Sequence, residues 1–137
     1  MPTIQWEDSY SVNHSEIDEQ HQKWIAIFND MHTVMLYGSP DKLDAAGRKA
    51  LQEMVDYAKY HFAFEEDYMK LVGFPTIVEH CRLHKDFDNL IYNYNQEVTE
   101  NRGLVLNTEI LKVLKKWLLN HILVEDKKYS EFVQTKK

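Results

Sequence analysis

The chain has 137 residues, enough for one domain that buries roughly two thirds of its unfolded surface without staples. Hydrophobic residues make up 44% and charged residues 28%, which excludes a disordered chain, and the single Cys excludes a disulfide framework and a cysteine-based zinc or iron–sulfur site. Sixteen basic residues stand against 22 acidic ones, a net charge of −6 without a basic stripe, which argues against nucleic acid and anionic membrane surfaces as partners.

The first ten residues carry no basic region and no apolar stretch, so no signal peptide is expected. No apolar run approaches the roughly 18 residues of a membrane span. With the lone Cys81, this predicts a cytoplasmic protein with no membrane insertion. The segment with Trp6 and Tyr10 is expected to pack over the helical bundle. Ser15 or Asn13 can open a first helix, about 16–37, with a seam of Ile17, His21, Trp24, Phe28, Met31 and Met35. Gly38 and then Pro40 give the stop pattern of a helix C-terminus. Asp41 can cap a second helix, about 41–72, with a seam of Ala50, Met54, Tyr57, His61, Phe64 or Glu65, Tyr68 and Val72. Gly73 and Pro75 end it, and Thr76-Ile-Val-Glu79 has the form of a capping box. The third helix, about 76–100, has a seam of Ile77, His80, His84, Phe87, Ile91, Tyr94 and Val98. Gly103 follows it. Asn107 or Thr108 can open a fourth helix, about 108–127, with a seam of Ile110, Leu114, Trp117 and His121. No period-two alternation signals a strand. Long helices joined by short loops must run antiparallel. The expected fold is a single all-α domain over 1–137, an up-down-up-down four-helix bundle.

Five of the seven histidines, His21, His61, His80, His84 and His121, fall in these seams. A buried imidazole needs a partner for each ring nitrogen. One core histidine is commonly satisfied by a backbone carbonyl. Five on four converging seams satisfy one another most cheaply through a shared metal. His61 and Glu65 are four residues apart, as are His80 and His84, so each pair projects from one helix face about 6 Å apart. Asp126 follows His121 by five residues, about 140° around an ideal helix. That pair serves one centre only if the helix is bent or widened there, or if the centre is broad enough to be approached from two sides, as a two-metal centre is. Glu66 and Asp67 are rotated off the seam and read as solvated, with contacts behind the ligands as the alternative.

Imidazole and carboxylate donors suit iron, and two six-coordinate irons offer about twelve positions. Five imidazoles, two bridging carboxylates and one bridging oxo or hydroxo group fill all but one of them. A nitrogen-rich pair with one open position is suited to a small molecule. The Glu-x-x-His pairs of carboxylate-rich di-iron bundles do not occur in the chain.

At these residues the chain resembles the hemerythrins, specifically the single-domain bacterial hemerythrins. The resemblance is carried by Ile17-Asp-Glu-Gln-His21, His61-Phe-Ala-Phe-Glu65-Glu66, His80-Cys-Arg-Leu-His84 and Trp117-Leu-Leu-Asn-His121-Ile-Leu-Val-Glu-Asp126, and runs from about residue 6 to 133. The family pattern is one His, His-x-x-x-Glu, His-x-x-x-His and His-x-x-x-x-Asp, so the five-residue spacing is the family's own. The resemblance implies two iron ions bridged by an oxo or hydroxo group, Glu65 and Asp126. It implies that His80, His84 and His121 bind one iron, and that His21 and His61 bind the other, which keeps the open position. It further implies that dioxygen binds there reversibly and end-on as a hydroperoxide, its proton drawn from the bridging hydroxide. The expected role is non-enzymatic oxygen transport, storage or delivery.

Trp24, Phe62, Trp117 and Leu118 neighbour the histidines in sequence and are bundle core in any case. They are also expected to line the oxygen pocket and exclude water. His14, read as exposed, and His32, flanking the first seam, are expected non-ligands. Cys81 reads as a small packed residue, and Met31 and Met35 as gap-filling core. The alternative function is a di-iron peroxidase or oxidase, or a sensor of oxygen, nitric oxide or redox state. A sensor needs an output domain, for which 137 residues offer little room, and an enzyme needs polar substrate contacts, which the seams near the histidines lack. Expected partners are dioxygen and an oxygen-consuming enzyme, with the chain itself a monomer.

Overall fold

Three-to-four spacing of apolar residues becomes long helices whose seams face one another. The computed structural model describes residues 4–37, 40–100 and 108–136, with side chains described outside 36–45 and 97–108. A short 3-10 turn, Asp8–Tyr10, precedes α1 (Ser15–Tyr37), α2 (Pro40–Val72), α3 (Ile77–Glu100) and α4 (Thr108–Asn120). A π-helical turn, His121–Glu125, then leads into α5 (Asp126–Thr135). The bundle is all-helical: α1 packs on α2, α2 on α3, and α4 returns to α1. No described helix is long and apolar enough to cross a membrane.

The N-terminal segment packs over the bundle as expected. Ile4 is buried, its backbone N–H donating to Asn29 Oδ1 at 2.9 Å while Asn29 Nδ2 donates to the Ile4 carbonyl at 2.8 Å. Trp6 and Tyr10 pack against the main core. The start of α1 differs from the sequence reading. His14 is half-buried rather than exposed, and its Nδ1 accepts the Ile17 backbone N–H at 3.2 Å, the role assigned to Ser15 or Asn13. Its ring also meets Tyr68 edge-on at 4.5 Å, an apolar contact that draws it off the surface.

Gly73 ends α2 with φ at +71°, where a side chain would strain the backbone. Its N–H donates to the Lys70 carbonyl and that of Phe74 to the Met69 carbonyl, closing the helix end, and Phe74 is buried beyond it. The expected stops at Gly38 and Gly103 and the cap at Asn107 lie outside the described residues, whereas α2 already begins at Pro40, which places Asp41 inside the helix rather than at its cap, and α4 begins at Thr108. The expected end of the fourth helix near 127 is too early. The chain continues helically to Thr135 because Tyr129 and Phe132 extend an apolar face that packs with Val12, Ile17, Met69 and Phe74.

Two apolar clusters result. The larger holds Trp24, Phe28, Met54, Phe62, Phe87 and Leu118, and the smaller holds Ile17, Met69, Phe74 and Tyr129. Along α1, His21 lies between Ile17 and Trp24. Along α3, His80 and His84 lie between Ile77 and Phe87. Every arm thus passes from one cluster to the other through a polar level, and that level is the candidate site.

Candidate metal centre

His21, His61, Glu65, His80, His84, His121 and Asp126 are all buried, the most exposed being His80 at 3%. The fold divides them into two donor sets that share both carboxylates. One set is His80, His84 and His121 with Glu65 and Asp126; the other is His21 and His61 with Glu65 and Asp126. Within each set, donor atoms lie within 4.8 Å of one another.

The carboxylate oxygens are apportioned between the sets. Glu65 Oε1 lies 3.0 Å from His80 Nε2 and 2.9 Å from His84 Nε2, whereas Oε2 lies 3.2 Å from His61 Nε2 and 3.6 Å from His21 Nε2. Asp126 Oδ1 lies 3.0 Å from His80 Nε2 and 2.9 Å from His121 Nε2, while Oδ2 lies 3.0 Å from His21 Nε2. Each carboxylate therefore presents one oxygen to each set, the arrangement a bridging ligand requires. The three-histidine set offers five donors and the two-histidine set four.

The π turn resolves the spacing that an ideal helix cannot accommodate. Asp126 N–H bonds to the His121 carbonyl, closing a turn of five residues rather than four, so both side chains point into the bundle. Of the two ways the sequence left open, widening of the helix is the one that occurs.

Three further side chains hold members of the cluster from behind. His61 Nδ1–H donates to Gln20 Oε1 at 2.7 Å, His84 Nδ1–H to Glu66 Oε2 at 2.8 Å, and the Tyr129 hydroxyl to Glu65 Oε2 at 3.0 Å. A proton held on Nδ1 leaves the Nε2 lone pair free toward the centre. Glu66 is thus half-buried and engaged, not solvated, because its oxygen reaches the far side of α3's His84. Asp67 is exposed as expected. The sequence reading did not single out Gln20 or Tyr129. Gln20 adjoins His21 in sequence, which was a usable signal; Tyr129 lay beyond the assumed helix end.

Hydrogen bonding leaves this cluster incomplete. Both nitrogens of His21, Nε2 of His61, Nδ1 of His121 and both oxygens of Asp126 are buried without a hydrogen bond. The short approaches to Asp126 lack the alignment a hydrogen bond needs. Each unsatisfied polar atom costs about 1–3 kcal/mol, and a cation bound by Nε2 of His21 and His61 and by the Asp126 oxygens removes that cost at those atoms. A borderline to hard divalent or trivalent metal fits an imidazole-and-carboxylate set of this kind.

The charges are strongly coupled. Burial disfavours the imidazolium form, but Asp126 and Glu65 outweigh it and push His21 and His80 up to about 9, and His121 upward as well. At His61 burial prevails and the value falls. Burial would raise Glu65, yet His61, His121 and His21 hold it well below the usual carboxylate range. Asp126 is likewise lowered: burial and Glu65 oppose ionisation, and His121 and His21 overcome them.

Aromatic rings wall the larger-cluster side. Phe62 stacks on His84 at 3.9 Å with planes 9° apart, and Trp117 stacks on His121 at 4.5 Å and 11°. Trp24 sits 5.2 Å from His61, its indole N–H donating to Met54 Sδ at 2.7 Å. Leu118 is buried in the same cluster. His32 is buried on α1 away from the two donor sets, and Cys81 is a partly buried free thiol that burial, followed by Glu66, pushes up to about 11.

Known proteins share this arrangement of chain. The chain matches the Hemerythrin HHE cation binding domain over residues 12–133. It is 31% identical over 134 residues to the bacteriohemerythrin of Stenotrophomonas maltophilia (strain R551-3), which covers 98% of this chain and 84% of that protein. It is 29% identical over 126 residues to a hemerythrin-like protein of Naegleria gruberi, covering 91% and 89%. A crystal structure of wild-type hemerythrin superposes with a TM-score of 0.85 at 22% identity, covering 95% of this chain and 97% of that one. With the family match spanning nearly the whole bundle, the chain belongs to the hemerythrin family.

Proposed function

We propose that the chain is a non-heme di-iron protein that binds dioxygen reversibly for transport, storage or delivery. The observation that carries this reading is the apportioning of Glu65 and Asp126, each with one oxygen toward the three-histidine set and the other toward the two-histidine set. In this reading His80, His84 and His121 would hold one iron and His21 and His61 the other, with Glu65 and Asp126 shared between the two sets. The two-histidine side has one donor fewer, so the open position falls there. A pair of ferrous ions held there would supply the two electrons that reversible dioxygen binding needs.

The protein's own residues do the rest. Gln20 and Glu66 hold imidazole tautomers with Nε2 facing inward, and Tyr129 steadies Glu65. Trp24, Phe62, Trp117 and Leu118 exclude water, which slows loss of the electrons to solvent. This wall also favours binding over catalysis: Phe62 and Leu118 carry no polar side-chain atom, and Trp24's one donor is already engaged by Met54.

Protein purified without a tag should contain two irons per chain. Anaerobic reduction followed by oxygen should develop a visible absorption that degassing removes. One iron per chain, or zinc in preference, would sink the di-iron assignment. Irreversible oxidation on each exposure, with turnover of peroxide or an organic reductant, would replace oxygen binding by the enzymatic alternative.

A further inference from the structure

Trp117 has two faces with different surroundings. One face lies nearly parallel on His121 at 4.5 Å, and Phe87 flanks the ring at 4.4 Å. The indole is only half-buried, and it lines a surface pocket of about 390 Å³ with Val113, Lys116 and Asn120. All four residues lie on one face of α4, at spacings of three and four. Lys112 is exposed one turn before the exposed Lys116. The helix Thr108–Asn120 carries three lysines against the single acid Glu109, a net of +2 in a chain whose total is −6. The acidic total conceals this local cationic rim around an apolar centre.

We propose that this face of α4 is the docking surface for an acidic one-electron carrier protein, and that Trp117 and His121 conduct its electrons to the three-histidine side of the centre. The inference rests on the di-iron reading. A ligand imidazole in ring contact with an indole, itself open to solvent, gives an unbroken π path from surface to centre. Lysines at the rim steer an acidic partner and orient it over the indole. Each transfer oxidises the carrier by one electron and reduces one ferric ion to ferrous, so two transfers restore an oxidised pair. No covalent bond in the protein is made or broken. The sequence reading set Trp117 against the oxygen pocket; its stacking on His121 adds this second role on the other side of the centre.

The iron-loaded, oxidised chain should be mixed anaerobically with reduced plant-type ferredoxin, an acidic carrier, and separately with dithionite. The bimolecular rate with ferredoxin should fall steeply with salt. The double variant Lys112→Glu, Lys116→Glu should lower it at least tenfold at low ionic strength and leave the dithionite rate within twofold. Oxidised ferredoxin titrated into the zinc-loaded, isotope-labelled chain should shift amide resonances along 112–120. Trp117→Leu should lower the limiting rate at saturating ferredoxin while these amide shifts persist. If that variant fails to load iron, the exposed lysine pair still decides the matter. An unchanged ferredoxin rate in the lysine variant, or shifts mapping to another face, would overturn the proposal. A chain lacking two irons would fail the di-iron reading instead, and the zinc-loaded titration would still test the surface.

Discussion

Glu66 illustrates how a single side chain can govern a centre it does not enter. Its Oε2 receives the Nδ1–H of His84 at 2.8 Å, fixing both the tautomer and the ring orientation, and Phe62 stacks on the same ring from the other side. Removing such a partner from a ligand imidazole commonly costs 10–100-fold in metal affinity, as an order of magnitude. Glu66→Ala should therefore weaken metal binding by about that range in a chelator competition, with helicity retained, since the residue is partly exposed. An affinity within twofold of wild type would show that packing alone orients His84. His84→Leu is a harsher change: it removes a donor and leaves Glu65 Oε1 with one imidazole fewer. Iron per chain should fall below two, and the thermal transition of the iron-incubated protein should drop toward that of the metal-free form. The buried histidines of the cluster were legible because histidine is rare in apolar seams. Their supports were less so, because Glu66 sits off the seam and reaches its partner only through the approach of α3 to α2.

At the scale of the element, the π turn is the feature on which Asp126's place in the buried cluster depends. A four-residue turn would carry Asp126 away from His121, whereas the turn closed by Asp126 N–H on the His121 carbonyl brings Oδ1 to 2.9 Å from Nε2. The spacing was visible in the sequence as a conflict with helical geometry, but the conflict had several resolutions and only packing chooses among them. α5 was illegible for a related reason: Glu125-Asp-Lys-Lys128 reads as a charged exit, and the apolar pair Tyr129 and Phe132 beyond it makes sense only against Ile17 and Phe74 from distant elements. Inserting one alanine after the exposed Leu123 sets Asp126 six positions from His121 and should rotate it by about 100° out of the cluster. Iron per chain should fall while most helicity survives, and Leu123→Ala, which preserves the length, should load normally. Equal loading in both would mean that the register is set elsewhere. The Gly73 stop, by contrast, followed directly from the Gly-then-Pro pattern. Gly73→Ala forces a side chain to φ near +71° and should cost about 1–2 kcal/mol, read as a melting temperature lower by several degrees.

For the whole molecule, the polar level between two apolar clusters makes stability and metal loading respond to pH in opposite senses. In the metal-free protein, His21 and His80 are pushed up to about 9 by Asp126 and Glu65 against the opposing effect of burial. Unfolded, both return to about 6.5. Raised values mean that the folded state holds more protons, so their stabilising contribution is complete below about pH 6.5 and is lost as pH rises toward 9. Glu65 and Asp126 are lowered by the imidazoles, against burial, so their contribution is present above the usual carboxylate range and is lost as pH falls through it. The metal-free protein should therefore be most stable at about pH 6.5, weakening toward pH 9 as His21 and His80 lose their protons and weakening in acid as the lowered His61 and then the carboxylates oppose folding. The loaded protein follows the opposite course on the alkaline side. Metal must displace protons from His21, His80 and His121, so loading near neutrality should release about two or more protons per chain, and affinity should climb with pH up to about 9. Thermal melts of chelator-stripped and metal-loaded protein from pH 5 to 9 should thus show a gap that widens with pH. Proton release on loading, followed with a weakly buffered indicator, gives the independent count. A gap that stays constant, or loading that releases no proton at pH 7, would mean that the imidazoles are already neutral in the metal-free fold.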